Sequence, residues 1–183
     1  MACVLTSDDL PNARLDHLMA AVDKLRAIGV IVDKSNGGCI VSSARRLEAT
    51  TITTQPHPGF PTDLQAQFMA ALCIAEGNSF VTEKIYPERF IHVAELQRMR
   101  ARIRKEGPTA IVEGVDYLSG APVMASDLRA SAALVVAGLA ARGTTTVDRV
   151  YHIDRGYERI EEKLEALGAR ITRVSDRVPV EAE

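Results

Sequence analysis

A helical run that closes with glycine and leads into a β-rich run recurs five times along this chain. Glycine is frequent just past a helix because, without a Cβ, it adopts positive φ without a clash. Helices that alternate with strands indicate an α/β fold, and the recurrence constrains the architecture more than any single motif does. The predicted helices and their closing glycines are Leu15–Ile28 with Gly29, Asp63–Glu76 with Gly77, Val93–Glu106 with Gly107, Asp127–Arg142 with Gly143, and Tyr157–Leu167 with Gly168.

These runs belong to a larger repeating unit of helix, strand, helix and two strands. Asp63-Leu64-Gln65-Ala66 resembles Asp127-Leu128-Arg129-Ala130, and an Asp that opens a helix is a good amino-terminal cap. Arg89 and Arg155 each lie twelve residues after the glycine that closes the preceding helix, and Arg14 marks a fainter third copy. The first copy lacks its opening helix and the last lacks its closing strands, which is expected either of a cut inside a larger protein or of an unusual natural end with a start at Met1.

The composition restricts the class of protein. Hydrophobic residues make up 46% of the 183 residues while aromatics make up 4%, so the core is predicted to consist of Ala, Leu, Val and Ile. A net charge of -2 argues against a nucleic-acid binder, which is usually basic. No apolar run reaches the ~18 residues of a membrane helix, and the first ten residues lack the basic region of a signal peptide. We therefore expect a cytoplasmic protein that binds neither nucleic acid nor membrane.

The cysteines and histidines fit no metal-binding pattern. The number of cysteines is odd and their spacing matches no zinc motif, so we interpret them as free thiols. Cys73 lies in an apolar run and is expected to be buried. No two of three candidate histidines share an i, i+3 or i, i+4 spacing, so the sequence predicts no metal site. The remaining cysteines are Cys3 and Cys39, and the histidines are His57, His92 and His152.

A glycine-rich segment near the amino terminus has two possible interpretations. Val30–Asp33 and Cys39–Ser42 are β-rich and flank Lys34-Ser35-Asn36-Gly37-Gly38. A glycine-rich loop can cradle a phosphate, but such loops lead into a helix and none follows here. The Asn-Gly pair is instead a strong signal for a hairpin turn, which we predict.

Two predicted helices are too apolar for a surface position. Asp127–Arg142 is apolar nearly all round, and Asp63–Glu76 is similar. A helix that is hydrophobic on every side is expected to be buried. The sequence thus predicts helices inside and sheets outside, which inverts the common α/β layering.

Charged residues gather at the amino-terminal ends of these buried helices. Asp63 follows the rigid segment Pro58-Gly59-Phe60-Pro61, and it is either a helix cap or a general base or sugar-hydroxyl ligand. Asp127 is most simply a cap. Arg129 precedes such an apolar run that it needs a carboxylate or an anion as partner.

Arg89 and Arg155 occupy matching places in two copies of the unit, which leaves two interpretations open. Each arginine could pair with a carboxylate and thereby staple adjacent repeats. Alternatively, the guanidinium groups could surround a phosphate and a carboxylate, since each planar fork pairs with two oxygens at once. Nearby helix amino-termini would add partial positive charge.

Four motifs in this order resemble the UDP-N-acetylglucosamine 1-carboxyvinyltransferases, one of the enolpyruvyl transferase families, from about residue 14 to 174. The motifs are Pro61-Thr62-Asp63-Leu64-Gln65-Ala66-Gln67, Glu88-Arg89-Phe90-Ile91-His92, Ala125-Ser126-Asp127-Leu128-Arg129-Ala130-Ser131 and Tyr151-His152-Ile153-Asp154-Arg155-Gly156-Tyr157-Glu158. The resemblance implies an inside-out α/β barrel of βαβαββ repeats, with buried helices and outer sheets. Residues 1–174 would form one domain, incomplete at its amino-terminal end, and residues 175–183 a polar tail.

The resemblance also implies a reaction and a set of roles. Such enzymes transfer enolpyruvate from phosphoenolpyruvate to the 3′-hydroxyl of UDP-N-acetylglucosamine by addition and elimination, without a metal or other cofactor, as the first committed step of peptidoglycan precursor synthesis. Asp63 would contact the 3′-hydroxyl as the base, and Ile85 would contact the nucleotide-sugar through its backbone. The phosphate and carboxylate of phosphoenolpyruvate would be bound by Arg89, Arg129 and Arg155, with Asp127 orienting neighbouring charge.

Other parts of the family's active site have no counterpart in this sequence. The proton-donating Cys, a phosphate-binding Lys and a loop Arg of the family belong to a domain that precedes this chain. None of the three cysteines here lies in a matching motif. We therefore expect the isolated chain to be inactive and to need the missing amino-terminal domain, in cis or in trans.

Three rival interpretations remain open. The sister enzyme acts on shikimate 3-phosphate, but its Arg- and Lys-rich stretch is not visible around Tyr86–Val93. A non-catalytic binding domain could retain the fold, in which case Asp63 would be replaceable. An RNA-binding module can contain related βαβαββ units, although the acidic balance and the few aromatics weigh against it.

Overall fold

The computed structural model describes residues 8–11, 15–35 and 38–174, which form a mixed α/β fold. Short 3₁₀ turns cover Leu15–His17 and Thr62–Leu64. The helices are α1 Met19–Ala27, α2 Gln65–Leu72, α3 His92–Arg98, α4 Leu128–Ala140, α5 Tyr151–Asp154 and α6 Ile160–Ala166. The strands are β1 Asp8–Pro11, β2 Ile31–Ser35, β3 Gly38–Ser42, β4 Thr51–Thr53, β5 Asn78–Thr82, β6 Arg102–Glu106, β7 Thr109–Glu113, β8 Leu118–Ser119, β9 Pro122–Met124, β10 Ala141–Arg142 and β11 Thr146–Asp148.

Helix α4 lies at the centre of the fold and packs against α2, α3 and α5. Its small side chains allow this close approach, and α2 is buried along most of its length. The prediction of helices inside is therefore confirmed. None of the helices in the described ranges is both long and apolar enough to cross a membrane. The buried residues of α4 are Ala130, Ser131, Ala132, Ala133, Leu134, Val135 and Ala137.

The largest sheet has the order β4-β5-β7-β6, in which β4 and β5 are parallel and the other pairs antiparallel. Its inner face presents Val81 and Val112 to the helices, whereas Phe80 on the outer face is 43% exposed. In the next copy of the unit, β8 pairs with β10 and β9 with β11, both in parallel. The described strands form four separate sheets, and no closed barrel is present among them.

The predicted hairpin is present, since β2 and β3 pair antiparallel from Ile31↔Ser42 to Ser35↔Gly38. The Asn36–Gly37 turn itself lies outside the described residues, as do Cys3 and Arg14. Gly29 adopts the expected left-handed conformation just past the end of α1, with φ of 92°. Gly77 also has a positive φ of 96°, but α2 ends at Leu72 rather than at the predicted Glu76, so Gly77 does not cap this helix.

Two further helix predictions need correction. The predicted helix Val93–Glu106 ends at Arg98, because Arg102–Glu106 pairs with β7 as strand β6. Arg100, with φ of 69°, takes the left-handed position that we assigned to a glycine. The predicted helix Tyr157–Leu167 begins only at Ile160, and the short helix α5 precedes it.

Candidate functional site

Three helix starts that are distant in sequence meet at one carboxylate. Asp63 lies in the 3₁₀ turn that leads into α2, Arg89 in the segment between β5 and α3, and Arg129 in the first turn of α4. Arg89 Nη1 lies 3.0 Å and Arg129 Nε 2.8 Å from the same Oδ1 atom of Asp63. The fold thus places two guanidinium groups and one carboxylate around a single point.

The two aspartates at the starts of these helices have different roles. Asp127 caps α4, and its Oδ1 accepts the backbone N–H groups of Arg129 at 2.7 Å and Ala130 at 2.8 Å. Asp63 makes no cap hydrogen bond to its turn or to α2, so the capping interpretation is wrong for this residue. Its carboxylate is directed to the arginines of two other segments.

The electrostatics of the cluster keep it fully charged. The hydrogen bond from Arg129 is the main cause that lowers the pKa of Asp63, with the charges of both arginines adding to it against the effect of burial. The same bond raises the pKa of Arg129. Asp63 is therefore ionised at neutral pH, and it is a weak base as long as both arginines contact it.

Arg155 is near this cluster through its chain neighbours, although its side chain does not join it. A Cβ on Gly156 would lie 2.8 Å from Leu128 Cδ2, so the chain crosses tightly over the start of α4. The Tyr157 hydroxyl accepts Gln67 Nε2 at 3.1 Å. Arg155 itself is exposed, and no described residue forms a hydrogen bond or ion pair with its guanidinium group.

Ile85 lies in the same segment as Arg89, and its side chain is 43% exposed. Its backbone N–H donates to Glu83 Oε1 at 2.8 Å, so that donor is already used inside the protein. A backbone contact from Ile85 to a ligand would therefore have to use its carbonyl oxygen.

Glu83 is the residue of this region that the sequence analysis missed. It is completely buried, yet both of its carboxylate oxygens accept hydrogen bonds from residues around the site. Ser79, Val81 and Glu83 continue the alternation of inward-facing positions along β5 and just past its end. Extending the strand alternation by two residues would have singled out this inward-facing carboxylate.

The histidines and cysteines stand apart from this cluster. His92 is buried, and neither ring nitrogen has a hydrogen-bond partner. Cys39 and Cys73 are buried free thiols. Across residues 8–11, 15–35 and 38–174, no group of three or more His, Cys, Asp or Glu side chains is arranged to hold a metal ion.

Comparisons with known sequences match 1-carboxyvinyltransferases that are named for two different acceptors. The family model described as EPSP synthase (3-phosphoshikimate 1-carboxyvinyltransferase) matches residues 4–164. A protein named UDP-N-acetylglucosamine 1-carboxyvinyltransferase from Anaeromyxobacter sp. (strain Fw109-5) is 62% identical over 159 residues, which are 87% of this chain and 38% of that protein. A protein of the same name from Granulibacter bethesdensis is 57% identical over 91% of this chain and 40% of its own length. The chain thus spans about two fifths of these curated relatives.

Solved structures share the fold. The enolpyruvyl transferase NikO from Streptomyces tendae matches 86% of this chain and 36% of its own, with a TM-score of 0.77 and 29% identity. EPSP synthase from Acinetobacter baumannii matches 70% of this chain and 31% of its own, with a TM-score of 0.52 and 17% identity. The second likeness concerns the fold alone.

Proposed function

The chain belongs to the EPSP synthase (3-phosphoshikimate 1-carboxyvinyltransferase) family, and from this premise we propose that it supplies part of an enolpyruvyl transferase active site. The proposed reaction transfers the enolpyruvyl group of phosphoenolpyruvate to the 3′-hydroxyl of UDP-N-acetylglucosamine and releases phosphate. Relatives that are 57–62% identical bear the name of this activity, which favours the sugar nucleotide as acceptor over shikimate 3-phosphate. The product would serve peptidoglycan precursor synthesis and hence the building of the cell wall.

One observation carries the proposal: Arg89 and Arg129 converge on a single oxygen of Asp63. Two guanidinium groups this close together repel each other unless an anion lies between them. In this structure the Asp63 carboxylate fills that place. Because guanidinium forks pair with phosphate as well as with carboxylate, an anionic substrate can take over one or both arginines.

This exchange of partners would activate the base. When phosphoenolpyruvate binds the arginines, the pKa of Asp63 rises toward its ordinary value, since the bonds that lower it are released. Asp63 then accepts the proton of the 3′-hydroxyl while the hydroxyl oxygen bonds to C2 of phosphoenolpyruvate. The electrons of the C2–C3 double bond take up a proton at C3, which a preceding domain is proposed to supply.

The adduct then collapses to products. The C2–O bond to phosphate breaks, C3 loses a proton, and the C2–C3 double bond forms again in the enolpyruvyl ether. Both steps concentrate negative charge on the phosphate and carboxylate. Preorganised guanidinium groups stabilise that charge most strongly where water is excluded, and this is the role proposed for Arg89 and Arg129. Arg155 is proposed as a further phosphate ligand, and its exposed side chain would turn toward the bound phosphate.

The remaining proposed roles concern the substrate and its surroundings. The Ile85 carbonyl would contact the nucleotide-sugar, because its N–H already donates to Glu83. Asp127 would hold the start of α4 and thereby orient Arg129, whose backbone N–H it binds. Neither residue takes part in bond making. Neither a nucleic acid nor a membrane is part of this proposal.

The proposed active site includes residues of a second domain that is not in this chain. Since the chain spans about two fifths of its curated relatives, a preceding domain would supply the proton donor and further phosphate ligands, in cis or in trans. Both substrates are charged phosphate compounds that do not cross a membrane unaided, so the reaction is proposed to occur in the cytoplasm.

The test combines this chain with the amino-terminal part of the Anaeromyxobacter relative and measures phosphate release. We expect activity only when both parts and both substrates are present. Asp63→Asn should lower kcat roughly 10²–10⁴-fold, the range for loss of a general base. Asp116→Asn is the matched control, because Asp116 also pairs with an arginine, Arg46, but lies outside the cluster.

The outcomes separate the rival functions. Activity with shikimate 3-phosphate, and none with UDP-N-acetylglucosamine, would indicate the sister reaction named by the family model. No activity from the combined parts, together with an unchanged melting temperature on adding UDP-N-acetylglucosamine, would indicate a non-catalytic domain. Substantial turnover by the chain alone would refute the proposed dependence on a second domain.

A further inference from the structure

Glu83 is a buried carboxylate that serves as a hub of hydrogen bonds. Its exposed fraction is 0%. Oε1 accepts the Thr54 hydroxyl at 2.6 Å and the backbone N–H groups of Ile85 at 2.8 Å and Tyr86 at 2.9 Å. Oε2 accepts the Thr62 hydroxyl at 2.8 Å. One side chain thus joins three segments: the end of β4, the turn before α2, and residues 84–89, which we call the β5–α3 segment.

The hub connects directly to the charged cluster. Thr62 donates to Glu83 and accepts Arg89 Nη1 at 3.1 Å, while the same Nη1 lies 3.0 Å from Asp63 Oδ1. Arg89 also belongs to the β5–α3 segment, where its N–H donates to the Tyr86 carbonyl at 2.9 Å. Glu83 therefore holds Arg89 at both ends, by the backbone that carries it and by the hydroxyl beside its guanidinium group.

We propose that Glu83 is a positioning residue for the reaction, which fixes the β5–α3 segment and, through Thr62, sets the direction of the Arg89 guanidinium group. The inference rests on the proposed function for its effect on catalysis. Glu83 touches no reacting atom in this scheme. It determines where the phosphoenolpyruvate-binding Arg89 and the nucleotide-sugar contact at Ile85 lie.

A charged carboxylate suits this position better than a neutral side chain. The hub needs a group that accepts four hydrogen bonds and donates none, which only an ionised carboxylate does. Burial raises the pKa of Glu83, but the hydrogen bonds from Thr54, Tyr86, Thr62 and Ile85 together lower it below its ordinary value. The site therefore stays ionised, and a neutral replacement would weaken each of its bonds.

Three substitutions separate the two connections of Glu83, one to the backbone of the β5–α3 segment and one through Thr62 to Arg89. Glu83→Gln keeps the shape of the side chain but removes its negative charge and places an NH₂ group against one of the hydrogen-bond donors. Thr62→Val removes the hydroxyl that links Glu83 Oε2 to Arg89 and leaves the bonds of Oε1 to Ile85 and Tyr86 in place. Thr82→Val is the matched control, because the Thr82 hydroxyl bonds to Thr109 at 2.8 Å and takes no part in the hub.

The first experiment measures amide hydrogen exchange of Ile85 and Tyr86 in this chain. Glu83→Gln should speed exchange at both amides about 10-fold, since charge-assisted bonds are roughly twice as strong as neutral ones. Thr62→Val and Thr82→Val should leave both rates unchanged. Equal rates in Glu83→Gln and the unsubstituted chain would overturn the inference.

The second experiment measures kinetics in the combined two-part enzyme. Glu83→Gln and Thr62→Val should each raise the KM for phosphoenolpyruvate about 10-fold, whereas only Glu83→Gln should also raise the KM for the sugar nucleotide. The double variant should resemble Glu83→Gln alone, because both changes break one chain of bonds. If Glu83 and Thr62 only stabilised the fold, their variants would lower the melting temperature without raising the KM of one substrate in Thr62→Val and of both substrates in Glu83→Gln. That result would overturn the inference.

Failure of the inference and failure of the proposed function give different results. An active enzyme whose Glu83→Gln and Thr62→Val variants match Thr82→Val would leave the function intact and overturn the role of Glu83. An inactive enzyme would overturn the function, and the exchange rates of Ile85 and Tyr86 would then decide whether Glu83 holds the segment.

Discussion

The ion pairs of Asp63 contribute little to stability although they are central to the site. Its side chain is 56% exposed, and those of Arg129 and Arg89 are 36% and 21% exposed. Solvent screens pairs at such positions, and exposed pairs typically contribute about 1 kcal/mol or less. The arginines can therefore exchange Asp63 for a substrate anion at small cost, which suits a binding site better than a staple between repeats.

The exposure of these ion pairs predicts how Asp63→Asn changes the stability of the fold. The free energy of unfolding from urea titration should fall by less than about 1 kcal/mol. Asp116→Asn, which breaks another exposed pair, should give a similar small change. A loss of 3 kcal/mol or more, roughly that of breaking a buried pair, would instead support the staple interpretation.

Cys73 is predicted to be unreactive in the folded chain. Burial raises the pKa of its thiol to about 12, so almost no thiolate is present at neutral pH. Iodoacetamide at pH 8 should leave Cys73 unmodified in the native protein and alkylate it fully in urea, as measured by peptide mass spectrometry. Native labelling at Cys73 would show that α2 and its carboxyl-terminal turn open readily.

At the scale of elements, the sequence predicts helices and strands best where a single sequence property dominates a segment. Helix α4 was recognisable because it is apolar all round, and β2 and β3 because an Asn-Gly pair separates them. Strand β6 was misassigned because Arg-Ile-Arg-Lys-Glu contains good helix formers, and its strand form depends on pairing with β7. Helix α5 has only four residues, too few for a helical period to show.

The end of α3 offers a direct test of backbone strain. Arg100 has φ of 69°, a conformation that costs a residue with a Cβ about 1–2 kcal/mol. Arg100→Gly should raise the free energy of unfolding by up to about 1 kcal/mol, because glycine relieves the strain but loses more entropy on folding. Arg100→Ala retains the strain and should show no gain, and equal stabilisation by both variants would contradict this explanation. Chemical denaturation measures all three.

At the scale of the whole molecule, the repeats predicted which residues are equivalent but not where their side chains point. Asp63 lies 26 residues from Arg89 and 66 from Arg129 in sequence, so their contact depends on the packing of α2 against α4. Arg155 matches Arg89 in the repeat, yet its side chain is exposed and pairs with none of the residues that the structure describes. Glu83 escaped notice because a lone Glu beside Lys84 looks like a surface residue unless the strand register is known.

The pH dependence of stability combines groups from all parts of the fold. Burial lowers the pKa of His92 from 6.5 to about 4, so the folded state holds it neutral while the unfolded state binds a proton below pH 6.5. Its protonation therefore removes stability as the pH falls from 6.5 to 4. The pKa values of three carboxyl groups are lowered, so their stabilisation is present above the ordinary values of 3.8 to 4.5 and is lost at more acidic pH. They are Asp63, Glu83 and Asp154.

Urea titrations between pH 7.5 and pH 3 should show the loss of stability from His92 first, as the pH falls, and the loss from the three carboxyl groups after it. From pH 6.5 to 4 the free energy of unfolding should fall by roughly 3 kcal/mol, since each unit of pKa difference corresponds to about 1.4 kcal/mol. His92→Leu should flatten this range, because a buried leucine neither titrates nor leaves polar atoms unpaired. His17→Gln, at a histidine that is 67% exposed, should retain the slope. If His92→Leu keeps the full slope, the charge that destabilises the acid form lies elsewhere, and the buried imidazole does not couple the core to pH.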